Sequence, residues 1–267
     1  MATALTIAGS DSGGGAGIQA DLKTFAACGV HGVTAITAVT AQNTVTVTAV
    51  HVLPPAFVVT QIEAVVSDLG VDSVKTGMLA TAATVEAVAA CVDRLSLPSL
   101  VVDPVLRSSR GAPLLDADAI DILTRTLLPL ARCVTPNRFE AERLAGIAIE
   151  TESDIREAAK RIVGLGPQTV IITGGHRATT DVVDLCYDGH RFVELAGPRH
   201  PASSTHGTGC THSAALAAGL ARGDTLERAA RDAKEYVSTA IQHGLPIGAG
   251  PGPLGRPEKG RWYTPEK

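Results

Sequence analysis

An α/β fold on a mostly parallel sheet, with helices on both faces, is predicted by two features of this sequence. Short β-branched runs alternate with Ala-rich helical patterns along the chain, the order that a parallel sheet with crossover helices requires. The 267 residues, 45% hydrophobic, also run on without internal repeat or linker, enough to bury one sizeable core. A single domain is therefore predicted over 1–244, followed by a Gly/Pro-rich and charged surface tail over 245–267.

Strands are predicted near 3–8, 33–40, 47–52, 72–76, 99–103, 132–135, 169–173 and 182–187, with another around 191–195. Between them, Val58, Ile62, Val65, Val66 and Leu69 recur at helical spacing, as do Val85, Val88 and Val92. Asp116 or Asp118 is placed to cap a helix that Pro129 later interrupts. Further helices are predicted at about 138–145, 153–164, 209–221 and 225–242.

Composition narrows the function classes. A formal net charge of −4 gives no global basic field for nucleic acid or anionic lipid, and three Tyr, four Phe and one Trp leave little aromatic surface for stacking bases. Five Cys without a C-x-x-C suggest a reducing compartment. The N-terminus lacks a basic region and runs directly into a strand, and no apolar stretch is long enough to span a membrane, so a cytoplasmic location is expected.

In open α/β sheets ligands bind beyond the carboxyl ends of the strands, so the residues there carry the functional signal. The first strand runs into Gly9-Ser-Asp-Ser-Gly-Gly-Gly-Ala-Gly17, where Gly15-x-Gly17-x-x-Ala20 formally matches a dinucleotide fingerprint. That site needs an acidic residue roughly 20 positions on. No Asp or Glu occurs between Asp21 and Glu63. The phosphate loop G-x-x-x-x-G-K-[ST] is also absent. The glycines read as shaping a pocket, with Asp21 aimed at a small polar ligand or simply solvated. Gln42, after the second strand, offers one donor and one acceptor face, matched to an aminopyrimidine edge, although Asn43 beside it equally suits a turn. Met78 and Val105, at two further strand ends, suit either the wall of an aromatic ring or the core. In Thr135-Pro-Asn137-x-x-Glu140 a carboxylate falls in the first helical turn, where it suits a hydrated Mg²⁺ or the helix dipole. His206 and His212 are a poor zinc pair.

The strongest single feature is Ser204-Thr-His-Gly-Thr-Gly-Cys-Thr-His-Ser213, leading into a small-residue helix. Gly207 and Gly209 let several N–H groups converge at a helix start, which suits a phosphate oxygen. Cys210 lies where that field is strongest, and a thiol there tends to a lowered pKa. A plain Gly-rich helix entry with a buried Cys explains the same residues.

Taken together, Ala8-Gly-Ser-Asp-Ser12, Gly14-Gly-Ala-Gly-Ile-Gln-Ala-Asp-Leu-Lys-Thr24, Thr40-Ala-Gln-Asn-Thr44, Thr76-Gly-Met-Leu79, Val102-Asp-Pro-Val105, Thr135-Pro-Asn137, Gly174-Gly-His176 and His206-Gly-Thr-Gly-Cys210 form an ordered set. It resembles the hydroxymethylpyrimidine/phosphomethylpyrimidine kinases of thiamine biosynthesis over about residues 4–243. The resemblance implies a three-layer α/β/α ribokinase-like domain, a homodimer, and MgATP as phosphoryl donor. It implies that Gly9, Asp21, Gln42, Met78 and Val105 surround the pyrimidine, and that Asp103, Asn137 and Glu140 organise Mg²⁺ and its waters. Thr173, Gly175 and Lys234 would lie at the nucleotide, the amides of Gly207, Thr208, Gly209 and Cys210 would form an anion hole, and Cys210 would face the acceptor hydroxyl.

Departures also stand out. Leu106-Arg-Ser-Ser-Arg-Gly111 replaces the usual segment and offers Arg107 or Arg110 to polyphosphate, while Thr173 replaces a Lys common before Gly-Gly-His. The nearest rival reading is a pyridoxal or pyridoxine kinase using the same Cys site. A rival of another class is a non-catalytic pyrimidine-binding protein.

Overall fold

A computed structural model describes residues 1–108, 111–174, 181–201 and 203–255. Its strands are β1 (Thr3–Asp11), β2 (His31–Gln42), β3 (Val47–Val52), β4 (Ser73–Thr76), β5 (Leu100–Val102), β6 (Cys133–Val134), β7 (Val170–Ile172), β8 (Asp181–Tyr187) and β9 (Phe192–Pro198). They form one sheet in the order β3-β2-β1-β4-β5-β6-β7-β8-β9. The run from β2 to β7 is parallel, and the β2–β3, β7–β8 and β8–β9 pairs are antiparallel.

Alternation along the central strands assigns each side chain to a layer. Leu100 and Val102 of β5, with Val170 and Ile172 of β7, enter one core, whereas Val101 and Ile171 enter the other. The first core is covered by α2 (Pro55–Leu69), α3 (Ala82–Arg94), α4 (Ala119–Ile122), α5 (Arg138–Ala145) and α6 (Glu152–Val163). The second is covered by α1 (Gly17–Ala27), α7 (Thr208–Ala221) and α8 (Leu226–Gln242). Three layers result, as the family resemblance implied.

Differences from the sequence reading have local causes. β2 is longer than predicted because its first residues pair with β1 from His31 and its last with β3 up to Gln42. Neither Asp116 nor Asp118 caps α4 through its side chain; Ala119 donates instead to the Asp116 carbonyl. After four residues that helix widens into a π turn (Leu123–Leu127) and a 3₁₀ turn (Leu128–Leu130) that contains Pro129. Residues 245–249 are exposed, and the segment is tied down by hydrogen bonds: Leu245 N donates to Pro253 O, Gly255 N to Ala240 O, and His206 N to Gly252 O.

Candidate active site

The parallel strands all end on one side of the sheet, and their following loops enclose a cavity of about 820 Å³. One half is walled by Gly9, Gln42, Met78 and Val105; the other reaches Asn137, Thr173, Lys234 and Ile241. Between them opens the start of α7. Gly207, at φ +86°, is its N-cap, and no side chain caps the first turn, so the amides of Gly209 and Cys210 are left to the cavity. A Cβ on Gly207 would fall 1.8 Å from the Gly15 carbonyl oxygen, and one on Gly17 2.3 Å from that of Gly9. Only glycine lets the two loops interlock this closely.

Beneath the α7 start lies an ion pair that the sequence reading did not find. Lys75 Nζ donates to Asp21 Oδ1 at 3.0 Å and Oδ2 at 2.8 Å, with both side chains fully buried, and Thr6 Oγ1 donates to Asp21 Oδ2 at 2.6 Å. Asp21 is expected from the sequence at the ligand. Here its carboxylate is closed off from the cavity and reaches it only through Lys75, which does line the cavity. The physical reason is mutual: a buried ammonium needs a counter-ion, and α1 supplies one. The strand that carries it, Ser73–Thr76, is buried at all four positions, so a lysine there requires a partner.

Cys210 corrects the expected thiol chemistry. Burial pushes its pKa up to about 12; the nearby Asp103 and Asp21 carboxylates add to this, while Lys75 and the Gly17 amide oppose it. Desolvation thus outweighs the helix field, and at neutral pH the group is a thiol.

Two carboxylates, Asp103 and Glu140, line the cavity close enough to repel each other. Burial pushes Asp103 up to about 6, against the pull of Lys75, and Glu140 up to about 8, with the Asp103 charge adding to the second. Ser213 Oγ donates to Asp103 Oδ2 at 3.0 Å. Glu140 and Asn137 form a capping box on α5: Glu140 N donates to Asn137 Oδ1 at 3.1 Å and Asn137 N to Glu140 Oε2 at 2.9 Å. Two buried carboxylates with little countercharge suit a divalent cation. Among the described residues no cluster of three or more His, Cys, Asp or Glu is placed to hold a metal.

In the second half, Asp184 Oδ1 accepts from Lys234 Nζ at 2.7 Å and from Gly174 N at 2.6 Å. Lys234, expected at the nucleotide, is therefore in the cavity wall but tied to Asp184, a residue that sequence reasoning missed. Thr173 joins Asn137 through an isolated bridge at the ends of β7 and β6. Arg107 lines the cavity with its guanidinium 4.4 Å from the centre of the Phe139 ring. Gly175 and Arg110 lie outside the described residues.

The model of one protein family, phosphomethylpyrimidine kinase, matches residues 11–255. The chain belongs to this family. It is 52% identical over 254 residues to the hydroxymethylpyrimidine/phosphomethylpyrimidine kinase of Synechococcus elongatus, covering 94% of this chain and 96% of that protein. It is 50% identical to a thiamine biosynthesis bifunctional protein of Geobacter sulfurreducens, and spans 51% of that longer chain. Among solved structures, the ADP complex of Bacillus subtilis pyridoxal kinase superposes with a TM-score of 0.88 at 39% identity, covering 96% of this chain and 97% of that one. A phosphomethylpyrimidine kinase from Clostridium difficile superposes with a TM-score of 0.81 at 39% identity, covering 90% and 100%. Membership makes this phosphomethylpyrimidine kinase relative a phosphotransferase with a ribokinase-like fold.

Proposed function

We propose that the protein transfers the γ-phosphoryl group of ATP to 4-amino-5-hydroxymethyl-2-methylpyrimidine and then to the resulting monophosphate, in thiamine biosynthesis. The observation that carries this reading is the open start of α7 in a cavity of about 820 Å³ lined by Gln42, Met78 and Val105 as well as by Asn137, Thr173 and Lys234. Gly9, Met78 and Val105 would enclose the ring. Asn137, Thr173 and Lys234 would lie along the nucleotide.

Phosphoryl transfer passes through a loose transition state with charge on the equatorial oxygens, so positioning and electrostatics outweigh strong base catalysis. The amides of Gly209 and Cys210 would hold those oxygens, while Thr208 N, expected from the sequence to join them, donates to Thr205 O; losing one such donor costs on the order of 3 kcal/mol, roughly a hundredfold in rate. Lys75 adds fixed positive charge beneath them. Asp103, Glu140 and Asn137 would hold Mg²⁺, which neutralises polyphosphate charge when bound. Because Cys210 stays protonated, it acts as a neutral hydrogen-bonding group at the acceptor, and the alcohol proton leaves late rather than to a thiolate.

The reading extends to a cytoplasmic homodimer. No described helix is long and apolar enough to cross a membrane, and all five cysteines are free. Val39 and Val50 present exposed apolar surface on the β2–β3 edge, which suits a second copy.

Incubation of the protein with MgATP and hydroxymethylpyrimidine should yield monophosphate and then diphosphate by mass spectrometry. Pyridoxal phosphate formed from pyridoxal, with the pyrimidine untouched, would replace this reading by the pyridoxal kinase one, which the likeness to the Bacillus subtilis enzyme favours. A pure binder would give neither product.

A further inference from the structure

Two residues far apart in sequence, Asp11 and Gln42, converge on one ring nitrogen of a third, His206. His206 Nε2 lies 3.0 Å from Asp11 Oδ2 and 3.1 Å from the Gln42 amide nitrogen. The His206 ring sits against Gly15, where a Cβ would fall 2.3 Å from its Cδ2. Gly15 N and Ala16 N donate to Asp11 Oδ2 at 3.0 and 2.8 Å, and Gly13 N donates to Oδ1 at 2.8 Å. Burial opposes ionisation of Asp11, but the His206 contact and these backbone donors prevail and hold its pKa below the usual value.

An ionised carboxylate is an acceptor only, so His206 Nε2 must carry a hydrogen, in the neutral or the cationic ring alike. A nitrogen that carries a hydrogen cannot accept one from an amide NH₂. The two ends of a glutamine amide have the same shape, and their assignment follows from the hydrogen-bond network. The end of Gln42 that faces His206 is therefore its carbonyl, which shares the single Nε2 hydrogen with Asp11 Oδ2, and the NH₂ is the end turned to the cavity.

We propose that His206, braced by Asp11, is a specificity-determining positioning residue: it fixes the Gln42 amide so that the substrate edge meets a donor. The ligand that fits must offer an acceptor there, as an unprotonated pyrimidine nitrogen does. This inference rests on the proposed pyrimidine kinase function for its substrate, but the orientation itself does not.

The test compares His206→Phe, which keeps a flat ring against Gly15 but removes the donor, with His206→Gln, which restores an N–H. His206→Phe should raise KM for hydroxymethylpyrimidine about tenfold, the effect of one lost buried hydrogen bond. The change should spare KM for MgATP, and His206→Gln should recover most of the loss. Nitrogen-15 imidazole spectra of the wild-type protein should show Nε2 protonated. A bare Nε2, or a loss confined to kcat with both KM values unmoved, overturns the proposal. If the wild-type protein leaves the pyrimidine unphosphorylated, the functional reading fails on its own, and the imidazole spectrum still decides the orientation.

Discussion

At the residue scale, Cys210 shows how position and burial pull a side chain in opposite directions. The helix start favours a thiolate, but desolvation among the surrounding side chains and two nearby carboxylates push the pKa to about 12. A thiol of this kind assists the alcohol acceptor by hydrogen bonding, whereas a monoester acceptor brings its own ionised oxygen. Cys210→Ala should therefore slow the first phosphorylation more than the second in single-turnover measurements at saturating MgATP. Equal losses on the two acceptors would assign Cys210 to packing or loop geometry instead.

At the scale of elements, the site depends on a tie between β4 and α1. Lys75 and Asp21 are paired with no exposure to solvent, so removing one leaves an uncompensated buried charge. Lys75→Met should cost about 3–5 kcal/mol in chemical denaturation. Adding Asp21→Asn, which removes the orphaned charge and keeps an acceptor for Thr6, should return most of that stability. Activity should not return, because the positive charge beneath the α7 start is gone; a fully active double variant would exclude Lys75 from the site. On α5, Asn137 and Glu140 serve the helix and the cavity at once, since the two residues that cap the first turn also line the cavity.

At the scale of the whole molecule, the cysteines set an alkaline limit. Burial pushes Cys28 and Cys186 to about 11 and Cys133 well up, while an unperturbed thiol titrates near 9.0. Between about pH 9 and those values the unfolded chain has lost protons that the folded chain keeps. Stability contributed by the neutral thiols is thus complete below pH 9 and falls as pH rises through that window. The melting temperature should decline from pH 8.5 to 10.5, and more shallowly in a Cys28→Ala, Cys133→Ala, Cys186→Ala variant; parallel slopes would show that other groups govern the decline.

Much of this molecule is legible one-dimensionally because local rules decide it. Alternating side chains in β5 and β7, helical spacing in α2 and α3, and glycines where chain must pass chain mark the layers and the ligand end of the sheet. Gln42, Met78, Val105, Asp103, Asn137 and Glu140 stand at strand ends in the sequence and around one cavity in space. What only the tertiary structure decided are the pairings between distant residues: Lys75 with Asp21, Lys234 with Asp184, and His206 with Asp11 and Gln42. Charge and hydrogen bonding depend on which groups share a buried volume and how much water is excluded from it. Residues 11 and 206 meet only because the parallel sheet brings the end of β1 against the start of α7; there desolvation, which no local pattern encodes, sets the protonation of Cys210, and the hydrogen bonds that keep Asp11 ionised set the direction of the Gln42 amide.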